Sequence, residues 1–170
     1  MNLRNVKREK KMKVIPLTNS DKFVIVDDED FERVLKHRWY LRFDRRVESR
    51  INGKRLYLHR LILNPPRNLE VDHINHDQLD NRRNNLRIAT HAQNLANHTK
   101  HRNGITSQYK GVCWHKRGKK WEAYITVDYT KIHLGLYTTE IKAARAYDLA
   151  ALKHFREFSK LNFPERITIE

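Results

Sequence analysis

Asp72 and His73 are adjacent, and Asn85 and Asn94 follow them in the stretch VDHINHDQLDNRRNNLRIATHAQN. These side-chain types suit hydrolysis of a phosphodiester around a single hard cation. That chemistry needs a water made nucleophilic in line with the leaving oxygen, and a cation to stabilise charge building on the phosphate. Mg²⁺ takes few protein oxygens and keeps several waters. The Asp72 carboxylate and the Asn94 amide oxygen supply such a pair with one negative charge. His73 points to the opposite side of its strand from Asp72, and an imidazole with an ordinary pKa of about 6.5 is a suitable general base near neutral pH. Its other nitrogen needs a holder, either a neighbouring main-chain carbonyl or Asn85. Each residue alone also has a plainer reading: a surface turn for Asp72-His73, a turn that sends Leu86 into the core for Asn85, an exposed helical position for Asn94. Their joint spacing favours the chemical reading.

The elements that must position them follow from pattern. Thr90-His91-Ala92-Gln93 is a capping box, so a helix starts at Thr90 and runs to about His98, with Asn94 in its first turns. Residues 71–88 are rich in Asn and Asp and read as a loop tied by side-chain hydrogen bonds, entered by a strand carrying Asp72 and His73. Upstream, residues 14–63 read mostly as short strands. Residues 22–26 form one, and Asp27-Asp28-Glu29-Asp30 ends it and caps a short helix over 31–36. Strands at 39–41 and 47–51 follow, and Asn52-Gly53 turns the chain into another at 55–58. His59 to Leu63 makes one helical turn, stopped by Pro65-Pro66. Beyond a polar stretch at 99–108, residues 111–115, 121–128 and 131–137 alternate as three strands. Thr139 then caps a helix over 140–155, whose alanines let it lie close against a sheet.

The charge balance names the partner class. The 170 residues carry 35 Lys+Arg against 20 Asp+Glu, a formal charge of +15, which attracts polyanions. From Asn81 to Trp121 there is no carboxylate. The plain alternative is a basic ribosome-type or RNA-binding protein. One cysteine, Cys113, excludes an intramolecular disulfide and disfavours a structural zinc site, and it suits a cytosolic protein. No apolar run approaches the ~20 residues that span a bilayer, and the basic start lacks an apolar signal core.

Leu58-His59-Arg60-Leu61, Val71-Asp72-His73, Asp80-Asn81-Arg82-Arg83, Asn85-Leu86-Arg87 and Asn94 resemble the phage HNH homing endonucleases, as do Val26 to Asp30 and Trp39. The resemblance covers roughly residues 14–98. It implies a ββα-metal (His-Me finger) core with N-terminal β-hairpins, Asp72 and Asn94 as metal ligands, His73 as general base, and Asn85 as the loop-fixing asparagine. It also implies one divalent ion, Mg²⁺ with Mn²⁺ as alternative. His76 departs from the family, in which many members have glycine. His59 reads either as a contact to the scissile phosphate or as a packed histidine.

Tyr109-Lys110-Gly111-Val112, Trp121-Glu122-Ala123-Tyr124-Ile125, Leu134-Gly135-Leu136-Tyr137, Ala143 to Asp148 and Leu161-Asn162-Phe163-Pro164 resemble the Apetala-type (ethylene-response-factor) DNA-binding domain. That implies a three-stranded antiparallel sheet in the major groove, backed by the helix. Lys110, Cys113, His115, Arg117, Thr126, Lys131 and His133 would occupy the DNA-facing side. Plant members put arginine or tryptophan at several of these positions. Arginine on guanine is worth ~1–3 kcal/mol of discrimination, so the exchange predicts looser sequence preference.

The expectation is an α+β chain with a basic arm (1–13), an HNH nuclease domain (14–98), a linker (99–108), an Apetala-type domain (109–164) and a tail (165–170). It would nick double-stranded DNA as a monomer in the cytoplasm, that of a bacterial host if phage-encoded, without membrane or small-molecule cofactor. His59, Arg82, Arg83, Lys110, Trp114, His115, Lys116, Arg117, Lys119, Lys120, Lys131 and His133 would contact DNA. The rival is a DNA-binding regulator with an inert nuclease domain.

Overall fold

A computed structural model describes residues 11–99 and 106–166; most of the basic arm, most of the linker and the last four residues of the tail lie outside them. The fold is mixed α/β, with four small sheets and four α-helices among the described residues. The chain divides into two compact units between Ile88 and Ala89. Among the described residues no helix is long and apolar enough to cross a membrane.

The first unit is built from short strands because turn residues interrupt its apolar runs. β1 (Met12–Pro16) pairs antiparallel with β2 (Phe23–Asp27). α1 (Asp28–Leu35) starts earlier than expected: Asp28, Glu29 and Asp30 form its first turn rather than preceding it, where carboxylates meet the positive end of the helix dipole. β3 (Tyr40–Leu41), β4 (Val47–Ile51) and β5 (Lys54–Tyr57) form an antiparallel meander. Asn52 and Gly53 turn β4 into β5, both at positive φ (50° and 75°), as a tight two-residue turn demands. α2 (Leu58–Leu63) ends at Asn64 in the left-handed conformation, just before the two prolines. The stretch expected as one loop is instead bracketed by two paired strands, β6 (Glu70–His73) and β7 (Leu86–Ala89). Val24, Val26, Val34, Trp39, Val47, Leu58 and Ile62 are buried in one core.

The second unit opens with α3 (His91–Asn97), capped as expected: the Thr90 hydroxyl accepts from Gln93 N (3.2 Å) and the Gln93 side chain accepts from Thr90 N (2.8 Å). β8 (Val112–His115), β9 (Lys120–Val127) and β10 (Thr130–Tyr137) form an antiparallel sheet in the order β10-β9-β8. α4 (Glu140–Phe155) lies on one face of it. Val112, Ala123, Ala143 and Ala144 are fully buried where helix and sheet meet. The approach is so close that a Cβ at Gly111 (φ 71°) would collide with the Tyr147 ring. Asp148, buried on α4, accepts from the backbone of Asn162 (2.8 Å) and Phe163 (2.9 Å) and ties the chain after the helix back onto it.

Candidate functional site

β6 delivers Asp72 and His73 side by side, both 4% exposed. His73 Nε2 lies 3.3 Å from Asn81 Oδ1. The Asn81 amide is oriented by its own donation to the Gln78 carbonyl (2.9 Å), so its oxygen faces the ring. The imidazole therefore carries its proton on Nε2 and is basic at Nδ1. Burial pushes the His73 pKa down, and this outweighs the opposing pull of Asn81 and Asp72. The ring is neutral at pH 7, the form a general base needs.

Neither expected holder of the ring takes Nε2; Asn81 does. Asn85 has another task. Its oxygen accepts from Asn75 N (3.0 Å) and its amide donates to the Asp80 carbonyl (2.7 Å), which pins the loop between β6 and β7 at both ends. His76, where the resemblance implies glycine, takes the backbone that glycine favours, at φ 66°.

Asp72 is ion-paired. Arg87 places Nε and Nη2 at 2.8 and 2.7 Å from its Oδ2, which orients the carboxylate. Asn94 lies within α3, in the second unit. A carboxylate and an amide are hard-oxygen donors of the kind Mg²⁺ accepts, so the donor chemistry fits the implied ion. Among the described residues another carboxylate group, Asp27, Glu29 and Asp30, has metal-ligand spacing. The Arg83 guanidinium already sits on it, 2.9 Å from Glu29 and 2.7 Å from Asp30.

The arginines expected to meet DNA here are engaged within the unit. Arg82 makes a fork on Asp80 (2.8 and 2.7 Å). Arg83 spans to buried Asp30 (2.7 and 2.8 Å), and its backbone N–H donates to Asp27 (2.8 Å). His59 stacks on Tyr57 (5.7 Å) and sets its ring edge-on to His73 (5.4 Å). Burial first, then the nearby His73, Arg46 and Arg60, push its pKa down to about 3. It is a neutral packed ring beside the general-base candidate and offers a phosphate no charge.

In the second unit, register and burial define an open sheet face opposite α4. Cys113, His115, Glu122, Tyr124, Thr126, Lys131 and His133 share it. Lys116, Arg117, Lys119 and Lys120 are exposed at the β8–β9 turn. Two expected contacts lie elsewhere. Lys110 precedes β8 and turns its ammonium onto the carbonyls of Leu95 (3.2 Å), Ala96 (2.5 Å) and His98 (2.6 Å). It caps the C-terminal end of α3, where a cation meets the negative end of the helix dipole, and burial pulls its pKa down to about 8. Trp114 pairs in register with Trp121 and packs edge-on to it at 5.0 Å. That puts it on the side of the sheet that carries α4, away from His115.

Glu122, a site residue that the sequence pattern alone did not single out, sits amid the open face. It binds Lys131 Nζ (3.1 Å) and His133 Nδ1 (3.3 Å). Burial alone would raise its pKa, but these two partners bring it below the usual carboxylate range. A signal for it exists in the chain: Glu122 is the first carboxylate after a forty-one-residue stretch (81 to 121) without one.

Comparison with known proteins agrees with this geometry. Residues 57–96 match the HNH endonuclease family model and residues 107–156 the AP2 domain model. An uncharacterized HNH endonuclease of Acanthamoeba polyphaga mimivirus is 32% identical over 146 residues, covering 82% of this chain and 74% of that protein. An AP2-like ethylene-responsive transcription factor of Arabidopsis thaliana is 42% identical over 69 residues, covering 35% of this chain and 23% of that protein. APETALA2-like protein 2 of Oryza sativa subsp. indica is 40% identical over 58 residues, covering 34% of this chain and 13% of that protein. The chain therefore spans most of the viral relative but less than a quarter of these plant ones. No solved structure matches it. On the extent of its likeness to the viral protein, the chain belongs to the HNH endonuclease family, with an AP2 domain C-terminal to its HNH segment.

Proposed function

We propose that this chain is a metal-dependent, homing-type endonuclease that nicks double-stranded DNA as a monomer in the cytoplasm and is positioned on its target by the AP2 domain. One observation carries the reading: a buried, neutral His73, its tautomer set by Asn81, lies in the segment that matches the HNH model. In this reading residues 14–98 act as the nuclease with a ββα-metal core, 99–108 link, and 109–164 read DNA. Asp72 and Asn94 hold the divalent ion, most simply Mg²⁺, and no zinc is required. When bound, the ion supplies charge stabilisation at the phosphate and the leaving oxygen.

The rest is done by the chain's own groups. His73 takes a proton from a water at Nδ1 as the water oxygen bonds to phosphorus. The bond from phosphorus to the 3′-oxygen breaks, and that oxygen takes a proton from solvent water, leaving a 5′-phosphate and a 3′-hydroxyl. Asn81 and Asn85 hold the ring and the loop during that transfer, and Arg87 keeps Asp72 in place. His115, Lys116, Arg117, Lys119, Lys120, Lys131 and His133 meet the duplex from the second unit.

Supercoiled plasmid incubated with Mg²⁺ tests this. Relaxed circles form with the native chain, and His73→Ala lowers their rate by about 10²–10⁴-fold, the usual worth of a general base, while duplex binding persists. The likeness of the second unit to plant transcription factors favours one other reading, a DNA-binding regulator. Tight duplex binding with no cleavage under any divalent metal would establish that reading instead.

A further inference from the structure

The outer face of the β3–β4–β5 sheet belongs to no site described so far. Alternation turns Leu41, Val47 and Leu56 toward the core. The registers Tyr40↔Glu48↔Tyr57 and Arg50↔Arg55 place two tyrosines and two arginines on the opposite side, and alternation adds Arg42 and Arg46. Glu48 lies among them, 3.3 Å from Arg42 and 3.6 Å from Arg55, and Asp44 lies 3.1 Å from Arg42 and 3.9 Å from Arg46. Four arginines thus face two carboxylates, and exposed Arg45 at the β3–β4 turn adds to the excess. A groove of about 630 Å³ beside this face is lined by Lys36, Arg38, Arg42 and Arg50 among others.

Two further observations give the patch a direction and a tip. The Arg46 guanidinium lies over the Tyr57 ring at 6.0 Å, Tyr57 stacks on His59, and His59 meets His73. Ring contacts therefore link this face to β6, the strand that holds the general-base candidate. At the β3–β4 turn, Phe43 is 93% exposed, its ring attended by the Arg42 guanidinium at 5.3 Å. An aromatic ring left in water at the end of an arginine-rich hairpin has the form of an apolar wedge that enters a base step while cations hold the flanking phosphates.

We propose that this face is a DNA-gripping surface of the nuclease unit: Arg46, Arg50 and Arg55 hold phosphates of the duplex, and Phe43 inserts at a base step. The proposal rests on the nuclease reading only for the place of the scissile phosphate, and its test does not use cleavage.

The full chain, without divalent metal, is footprinted by hydroxyl radicals on a duplex selected from a randomised pool, with 2-aminopurine substituted at successive steps. The native chain and His73→Ala protect the same two tracts. Arg50→Ala with Arg55→Ala loses one tract, and its salt slope falls by about 2, roughly 0.9 for each phosphate contact removed. Arg50→Lys with Arg55→Lys restores both. Phe43→Ala keeps both tracts but abolishes a 2-aminopurine fluorescence rise that the native chain induces at one step. Unchanged protection and salt slope in the alanine pair would overturn the proposal. So would loss of the tract in the lysine pair, which would mark a structural role. A 2-aminopurine signal that does not depend on Phe43 would remove the wedge. His73→Ala failing to lower cleavage, with these footprints intact, would count against the nuclease reading alone.

Discussion

The segment from Arg82 to Arg87 and the turn between β8 and β9 read alike in sequence: each clusters cationic residues within the stretch 81–121, which is free of carboxylates. They differ in the structure. Arg82, Arg83 and Arg87 each lie on an aspartate of the first unit, whereas Lys116, Arg117, Lys119 and Lys120 stand in solvent. The carboxylates that neutralise these arginines lie outside that stretch, from Asp80, two residues before Arg82, back to Asp30, 53 residues from Arg83. Cationic density along a sequence therefore counts the charges but does not say which of them a polyanion can reach.

Arg83→Ala sharpens that contrast most. It leaves Asp30, 2% exposed, with the Arg33 contact alone. The expected loss is about 2–3 kcal/mol in denaturant unfolding, because a buried carboxylate loses charged hydrogen bonds. The salt slope of duplex binding stays where it was. A flattened slope with unchanged stability would invert the assignment.

The histidine pair adds a pH dependence to the first unit. The unfolded chain takes up a proton at His59 near pH 6.5, but the folded chain does so only near the depressed value of about 3. The unfolded state thus binds more protons between those limits, so stability falls as pH falls through that window. The expected loss is about 2 kcal/mol from pH 7 to pH 5 for this residue. His59→Gln should reduce it in parallel denaturation series, and an equal loss in the variant would refute the packed neutral ring.

Lys110→Met tests the second misplaced cation. It should cost about 1–2 kcal/mol of unfolding free energy by uncapping α3 and leave the salt slope of binding unaltered. The smallest effect is expected at the exposed turn. Lys119→Ala with Lys120→Ala should keep the melting temperature and lower the salt slope by about 2, while Arg82→Ala should leave the slope alone. If the lysine pair leaves binding and slope untouched, the groove face has been misassigned.

Local signals are readable in the chain. Asn52-Gly53 makes its turn, Thr90 and Gln93 close their box, and the α4 alanines lie against the sheet. The turn and the box depend on neighbours a few residues away, where backbone preference and side-chain reach decide the outcome, and the alanines depend only on being small at helical spacing. Readings that need a distant partner fare differently. Trp114 stands beside a basic turn and so reads as a DNA contact, yet register with Trp121 sets its face. The role of Asn81 depends on a ring eight residues back and on the Gln78 carbonyl. The arginine-lined face of β3–β5 emerges only once the register of three strands is known.

The loop that carries the candidate chemistry leans on a wall made earlier in the chain. Ile25 donates to the Leu79 carbonyl (2.8 Å) and accepts from Asn81 (2.7 Å), and Arg83 reaches Asp27 and Asp30. Excising the segment that matches the HNH model, residues 57–96, would discard β2 and α1 and strand those donors in water. A minimal catalytic fragment must therefore begin upstream of the hairpin that supplies Ile25, and an engineered transplant of the motif alone would bring its ligand types without the scaffold that aims them.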